Sequence, residues 1–555
     1  MSQIIIVNPE KCVGCNACIR TCPAPDANTT KMLEDGRFVT TVNTDRCIAC
    51  GECVRNCSHG ARDYIDDTTD AMAAIQNKEK LIVLATPSIK TVFPRTWKHI
   101  LNWFREHGCL IYDVSFGADI CTWAHIRAIQ NRKVDSIITQ PCAAIVKYIE
   151  TYQPTLLKNL SPIHSPILCS VVYIKQYLKM SNRIAVLSPC VAKKNEFQDT
   201  GLVEFNVTFQ KMMEYFELNG VRFLPDQDED LTYPFDGEQG QMGAIYPKPG
   251  GLRDNLWLHD ADINIVTSEG VHRVYPELNM YAGLNDSKKP KVFDVLSCEF
   301  GCNVGAGAGS QQTLFDIMQT MNGVEKEASG RRKINGGLFR ASEDKIFRRF
   351  DAELMLDDFI RKYKMAAPSR EPTAAELEEI FHSLGKYTLR ERNFNCHACG
   401  YSSCKAMATA IFHGNNLPDN CIVHAKSELM AEKATINGQH EKMNKISADI
   451  ESIAQIMNEN GGANSVTDNR KSSVRDLLSS VITFCNSMDA MDKSDLTSLV
   501  RILEKTVAAF EDFNSNVKNA SEITQAVNEH ISHIQQLVSD INSELNGNAE
   551  QEAAE

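Results

Sequence analysis

Twelve of the twenty cysteines in this chain of 555 residues sit in three tight runs: Cys12, Cys15, Cys18 and Cys22; Cys47, Cys50, Cys53 and Cys57; and Cys396, Cys399, Cys404 and Cys421. Four more come from separate stretches: Cys142 in Thr139-Gln140-Pro141-Cys142, Cys190 in Pro189-Cys190-Val191-Ala192-Lys193-Lys194, and Cys298 and Cys302 in Cys298-Glu299-Phe300-Gly301-Cys302. In a long chain with no basic, apolar leader, such clustering means metal and not a disulfide scaffold. The tight runs suit electron transfer. The dispersed four suit a centre that Lys193, a compact cation with three donors, can face.

The first two runs repeat one spacing, C-x2-C-x2-C-x3-C. That is the bacterial-ferredoxin pattern for two 4Fe-4S clusters, in which the fourth Cys of each run binds the other cluster. Cluster one is therefore expected on Cys12, Cys15, Cys18 and Cys57, and cluster two on Cys47, Cys50, Cys53 and Cys22. Pro23 follows Cys22 as the pattern asks, whereas Ser58 stands in place of the second Pro. A zinc ribbon is the competing reading, but zinc sites use two C-x2-C pairs.

Elements must carry the dispersed cysteines to one place. From about Leu81 short apolar runs alternate with helical stretches, as in α/β folds. Leu81-Ile82-Val83-Leu84-Ala85 predicts a buried strand ending at Thr86-Pro87-Ser88, and Arg183-Ile184-Ala185-Val186-Leu187 another ending at Ser188-Pro189-Cys190. Ile137-Ile138-Thr139 leads into Cys142, and Val292-Phe293-Asp294-Val295-Leu296 into Cys298. Open α/β sheets place ligands beyond the carboxyl ends of their strands, so four strand ends converge on one locus. Cys298 and Cys302, four apart, share a face if their segment takes a helical turn. Gly305, Gly307 and Gly309 let the backbone pass close to a bulky group. Any one of these cysteines alone reads as a small buried hydrophobe, the reading kept for Cys109, Cys121, Cys169 and Cys485.

Taken together, these loops resemble the active-site framework of iron-only (FeFe) hydrogenases. The likeness spans roughly residues 81–350 and includes Ser115-Phe116-Gly117-Ala118-Asp119, Asn159-Leu160-Ser161 and Gly250-Gly251-Leu252. It implies an H-cluster: a 4Fe-4S cubane on Cys142, Cys190, Cys298 and Cys302, with Cys302 bridging to a two-iron unit that carries CO, cyanide and a bridging dithiolate. It also implies that Lys193 meets a cyanide, that Pro87 and Ser88 border the cofactor, and that H2 is cleaved or made there. The family's catalytic members read T-S-C-C-P at the first loop, and the first Cys carries protons; here that position is Pro141, which has no titratable group. The two relay glutamates of the family fall on His125 and Ala128, whereas Ser161 and Glu196 match the remaining relay positions and Arg132 an outer one. Two methionines that pack on the two-iron unit are replaced by Ser188 and Leu296. A positioned acid–base group typically contributes ~10²–10⁴-fold, so the implied turnover is slow, as suits a detector.

Behind this body, Cys396, Cys399, Cys404 and Cys421 form C-x2-C-x4-C-x16-C. The run resembles a one-cluster 4Fe-4S module attached to hydrogenases thought to be sensory, with zinc as the alternative. His397 and His413 within it read as surface or packing residues. After Ile422 Gly and Pro nearly vanish, and Leu429, Ile436, Met443, Ile450 and Met457 recur every seven residues with Ile446 and Ile453 between them, a coiled-coil seam. A second seam runs Ile523, Val527, Ile531, Ile534, Val538, Ile541 and Leu545. An intramolecular helical bundle and a dimerising signal rod are both open. A net charge of −13 argues against nucleic acid, and no apolar run is long enough to span a bilayer.

The expectation is a cytoplasmic, multidomain α/β protein: a ferredoxin-like domain (1–70), a hydrogenase active-site domain (78–385), a small Fe–S module (386–424) and a helical output segment (425–555). Its partners are H2 and protons, a ferredoxin or another redox carrier, a signalling protein and a second copy of the chain. The alternatives are an ordinary ferredoxin-linked hydrogenase and an iron–sulfur scaffold or redox-sensing protein that lacks the two-iron unit.

Overall fold

The computed structural model describes residues 3–132, 136–223, 235–309, 312–336, 345–367 and 369–459, with isolated residues between 501 and 539. It divides into two compact units, Met1–Ile422 and Val423–Glu555.

The front of the first unit is built twice over, as its sequence repeat requires. Strand β1 (Ile5–Val7) and hairpin strands β2 (Asn28–Met32) and β3 (Phe38–Val42) precede β4 (Arg62–Tyr64), and β1 pairs antiparallel with β4, Val7 opposite Arg62. Each cysteine loop ends in a one-turn helix, Ala17–Arg20 or Glu52–Arg55. Both loops take left-handed backbone at matching positions, Gly14 and Ala49, then Asn16 and Gly51. These turns curl each C-x2-C-x2-C segment around a point, which is how closely spaced thiolates reach one core.

The body holds β5 (Ile82–Ala85), β6 (Leu110–Asp113), β7 (Ile137–Ile138), β8 (Ile184–Ser188), β9 (Phe205–Thr208), β10 (Ile265–Glu269) and β11 (Val292–Leu296). All pair in parallel, in two sheets and not one: β6-β5-β8-β9 and β10-β11-β7. The central strands β5, β8 and β11 are buried throughout, as strands covered by helices on both faces should be, although β8 ends in Ser188 and β11 carries Asp294. Leu81, Val83 and Ala85 enter one core and Ile82 and Leu84 the opposite one, so alternation divides this strand between two helical layers. The predicted strands are found within a residue of their expected bounds.

The last part of this unit packs helix Ala374–Ser383, held at its start by a Thr373/Glu376 capping box, beside helix Cys404–Phe412. Phe381, Leu384, Met407 and Ala408 join the same core as Ile19, Ile48 and Tyr275.

In the second unit the helix that starts at Ile422 runs to Glu459, as the heptad pattern from Leu429 predicts. Leu429 and Ile436 lie exposed on it, at 64% and 40%. Side chains of the later seam positions Met443, Ile446, Ile450, Ile453 and Met457 lie outside the described residues, as do Cys485 and most of the second seam. No described helix is long and apolar enough to cross a membrane.

Candidate metal centres

The loops that follow β5, β7, β8 and β11 line one cavity. Cys142, Cys190, Cys298 and Cys302 border it together with Lys193, Pro141, Pro87, Ser88, Ser188 and Leu296. Hydrogen bonds fix these loops from behind. Thr139 Oγ1 donates to Asp294 Oδ1 at 3.1 Å and accepts from Val295 N at 3.0 Å, which ties the Cys142 loop to β11. Asn206 Nδ2 donates to the Cys190 carbonyl at 3.1 Å, and Ser188 Oγ donates to Asn206 Oδ1 at 3.0 Å.

Cys298 and Cys302 do not share a helical turn, contrary to the spacing argument. Phe300 and Gly301 both take positive φ, 63° and 81°, and reverse the chain between them. Cys302 N donates to Pro247 O at 2.8 Å, and a Cβ on Gly301 would stand 2.1 Å from that same oxygen. Glycine at 301 is thus required both by its backbone conformation and by the close approach.

The donor set itself tests the fit to a metal. Burial pushes the Cys302 thiol up to about 12, and Cys142 and Cys190 nearby add to the rise. Cys298 is raised by burial, then by Cys142, Cys302 and Cys190, and Cys190 to about 11 by burial and then Cys142. Thiols whose charge is opposed by burial and by neighbouring sulfurs, as at Cys190, Cys298 and Cys302, need a cationic centre among them to become thiolates. They fit an iron–sulfur core.

Lys193 is buried at the cavity wall, with Nζ 3.1 Å from the Pro141 carbonyl and 2.5 Å from Glu196 Oε2. Two acceptors leave an ammonium donor for a further anionic acceptor. Glu196, wholly buried, also accepts from Arg361 NH1 at 2.7 Å and from Ser165 Oγ at 3.1 Å. Burial opposes its charge, but Lys193 and then Arg361 hold its carboxyl below the usual range. Arg361, with no sequence pattern around it, was not foreseen; its backbone N donates to Pro162 O, beside the Ile163–Ile360 bridge.

His125 and Ser161 do meet: Nε2 and Oγ lie 2.9 Å apart, both fully buried. Neither borders the cavity, and Glu196 bonds to Lys193, Arg361 and Ser165 instead of to this pair. The side chain of Arg132 is outside the described residues. Cys121 and Cys169 are buried, as a small hydrophobe should be, yet both also donate to the His164 carbonyl, at 3.4 and 3.3 Å. Burial opposes charge on Cys121 and His125 alike, but Cys169 and His125 bring the Cys121 thiol down, and Cys121 brings the imidazole up.

At the front, cysteines of the two runs lie near enough to influence one another. Cys22 is raised by burial and then by Cys53 and Cys47; Cys50 by burial and then by Cys22 and Cys53. Cys12 and Cys18 share the Thr40 hydroxyl, at 3.7 and 3.4 Å, and Cys12 packs with Cys57 around Val39 and Ala61. Cys15 is exposed. At the rear, Cys396, Cys399, Cys404 and Cys421 line one enclosed space with buried Lys386 and with His397. Burial, then Cys421 and Cys396, raise the Cys399 thiol. This rear site packs on the front one: Asn16 Nδ2 donates to Asn420 Oδ1 at 2.8 Å, and a Cβ on Gly400 would meet Ile19 at 2.9 Å.

Comparison with known proteins agrees with this division. Residues 79–306 match the family model "Iron only hydrogenase large subunit, C-terminal domain", residues 4–58 a 4Fe-4S dicluster domain, and residues 393–423 a putative Fe-S cluster domain. No curated protein matches. Similar solved structures include the HydA(deltaEFG) protein described for stepwise FeFe-hydrogenase H-cluster assembly, 15% identical over 54% of this chain and 99% of that one with a TM-score of 0.42. A glutamate-to-alanine variant of the FeFe hydrogenase HydA1 from Chlamydomonas reinhardtii is 14% identical over 55% of this chain and 100% of that one, with a TM-score of 0.41. With a large-subunit domain over the cysteine cavity and iron–sulfur domains before and behind it, the chain is an FeFe hydrogenase-like protein.

Proposed function

We propose that this protein reversibly and slowly cleaves H2 at an H-cluster and acts as a hydrogen or redox sensor, with its C-terminal helices as the output. Held by Cys142, Cys190, Cys298 and Cys302, the cubane and its two-iron unit would supply the metal chemistry that splits dihydrogen. The chain's own residues position and restrain. Lys193 offers a desolvated cation to the anionic ligands, and Glu196 with Arg361 keeps that ammonium in place. Ser188 and Leu296 border the cavity with groups that carry no charge.

The observation that carries the slow, sensory reading is Pro141. It lines the cavity beside Cys142, where it offers its carbonyl to Lys193 and no proton to the reacting site. His125 and Ser161 form a buried pair behind the cavity wall, and Glu196 is held as a carboxylate by two cations. Among the described residues that line the cavity there is no carboxylate, no imidazole and no thiol beyond the four cysteines, which supports slow passage of protons. Clusters on the front and rear cysteines would carry electrons away, the rear one at the root of the long helix that begins at Ile422.

Infrared spectroscopy of matured protein with and without H2 tests this directly. The expected result is a set of CO and cyanide bands that changes with the gas. Protein with full iron loading but no such bands is the scaffold alternative, and bands indifferent to H2 would remove the sensory role.

A further inference from the structure

We infer that Arg62 is a shared counter-ion of the two front thiolate sets, a positioning residue that raises the reduction potentials of both and ties them together. The inference rests on the reading that those sets hold clusters. Arg62 opens β4, and its side chain is buried, with 5% of the residue exposed. One guanidinium nitrogen donates to Cys18 Sγ at 3.1 Å and to Thr40 Oγ1 at 2.8 Å; the other reaches Cys53 Sγ at 3.9 Å. Cys18 belongs to the first run and Cys53 to the second, so a single cation spans sulfurs of both. The Thr40 hydroxyl extends the link, since it also contacts Cys12 Sγ.

No carboxylate is among the partners of Arg62. A guanidinium does not give up its proton, and burying one without an opposing charge is unfavourable. Neutral thiols do not supply that charge. Thiolates on a metal core do supply it. Arg62 thus lies beside whichever set gains an electron, and its charge favours the reduced form of each. The exposed pair Arg37–Asp35, in the turn between β2 and β3, lacks every one of these features.

EPR-monitored redox titration of the full chain, loaded with iron and sulfide, tests this with Arg62→Gln, Arg62→Lys and the surface control Arg37→Gln. In R62Q the one-electron reduction of both front clusters should shift at least tenfold toward the oxidised form, about 59 mV each. The shift should persist at high salt, because the group is buried. R62K, whose single ammonium reaches one sulfur, should shift the two clusters unequally, and R37Q should shift neither. A loaded R62Q in which either potential stays put overturns the inference. Should R62Q fail to retain iron, unshifted potentials in R62K overturn it instead. Absence of 4Fe-4S signals from the parent would remove the cluster reading itself, whereas signals with unmoved variants remove only the role of Arg62.

Discussion

At the scale of single residues, one proline and one glutamate divide the site between reactivity and support. Pro141 was visible in the sequence as a departure from a known motif, because a motif is local and a replaced residue shows at once. Pro141→Cys restores a titratable thiol at the cavity wall, and turnover should rise by ~10²-fold or more, measured by film voltammetry; equal turnover in parent and variant would remove the explanation for slowness. Glu196 is different. Its relay assignment came from position alone, but its partners Lys193, Arg361 and Ser165 make it a buried anchor. Glu196→Gln leaves two buried cations without their counter-charge and should cost ~3–5 kcal/mol in a denaturant titration. Because the folded carboxyl is held below its ordinary value of 4.5, its contribution is present in full above that value and is lost as pH falls through the folded pKa. The acid limb of parent stability should therefore be steeper than that of E196Q.

At the scale of elements, the strands were legible and the turns were not. Leu81–Ala85 is a continuous apolar run and Val292–Leu296 is broken only by Asp294, and burial on both faces is written into such runs. The reversal between Cys298 and Cys302 is not, since a four-residue spacing is equally compatible with a helical turn. Contact with Pro247, fifty residues earlier in the chain, selects the left-handed path through Phe300 and Gly301. Gly301→Ala should displace this loop and lower iron in the active-site cavity while EPR signals of the front clusters stay intact. Loss of the front signals as well would mean that the two domains fold as one. That outcome has a structural basis to compete with: a Cβ on Gly51 would stand 2.3 Å from the Ala306 side chain, so the front loop and the glycine-rich loop are in close contact.

At the scale of the whole molecule, the first unit gathers cysteines of every site around one core, with Cys18, Cys53, Cys399 and Cys421 buried in it and Cys142 and Cys190 packed against it. A chain ending at Ile422 should keep its iron and infrared bands, because that unit is compact by itself, and light scattering should find it monomeric if the exposed seam of Leu429 and Ile436 is what pairs two copies. The same number of chains per particle in the truncated and full-length proteins would exclude dimerisation through these helices. By itself the sequence determined the kinds of centre this protein can hold, because thiolates two or three residues apart must serve a common core, and short-range spacing survives in any fold. Tertiary structure alone decided which distant polar groups meet: Arg361 with Glu196, 165 residues apart, Arg62 with Cys18, 44 apart, and Asn16 with Asn420, 404 apart. Such pairs leave no periodicity to read, since burial and packing, not chain proximity, bring them into contact.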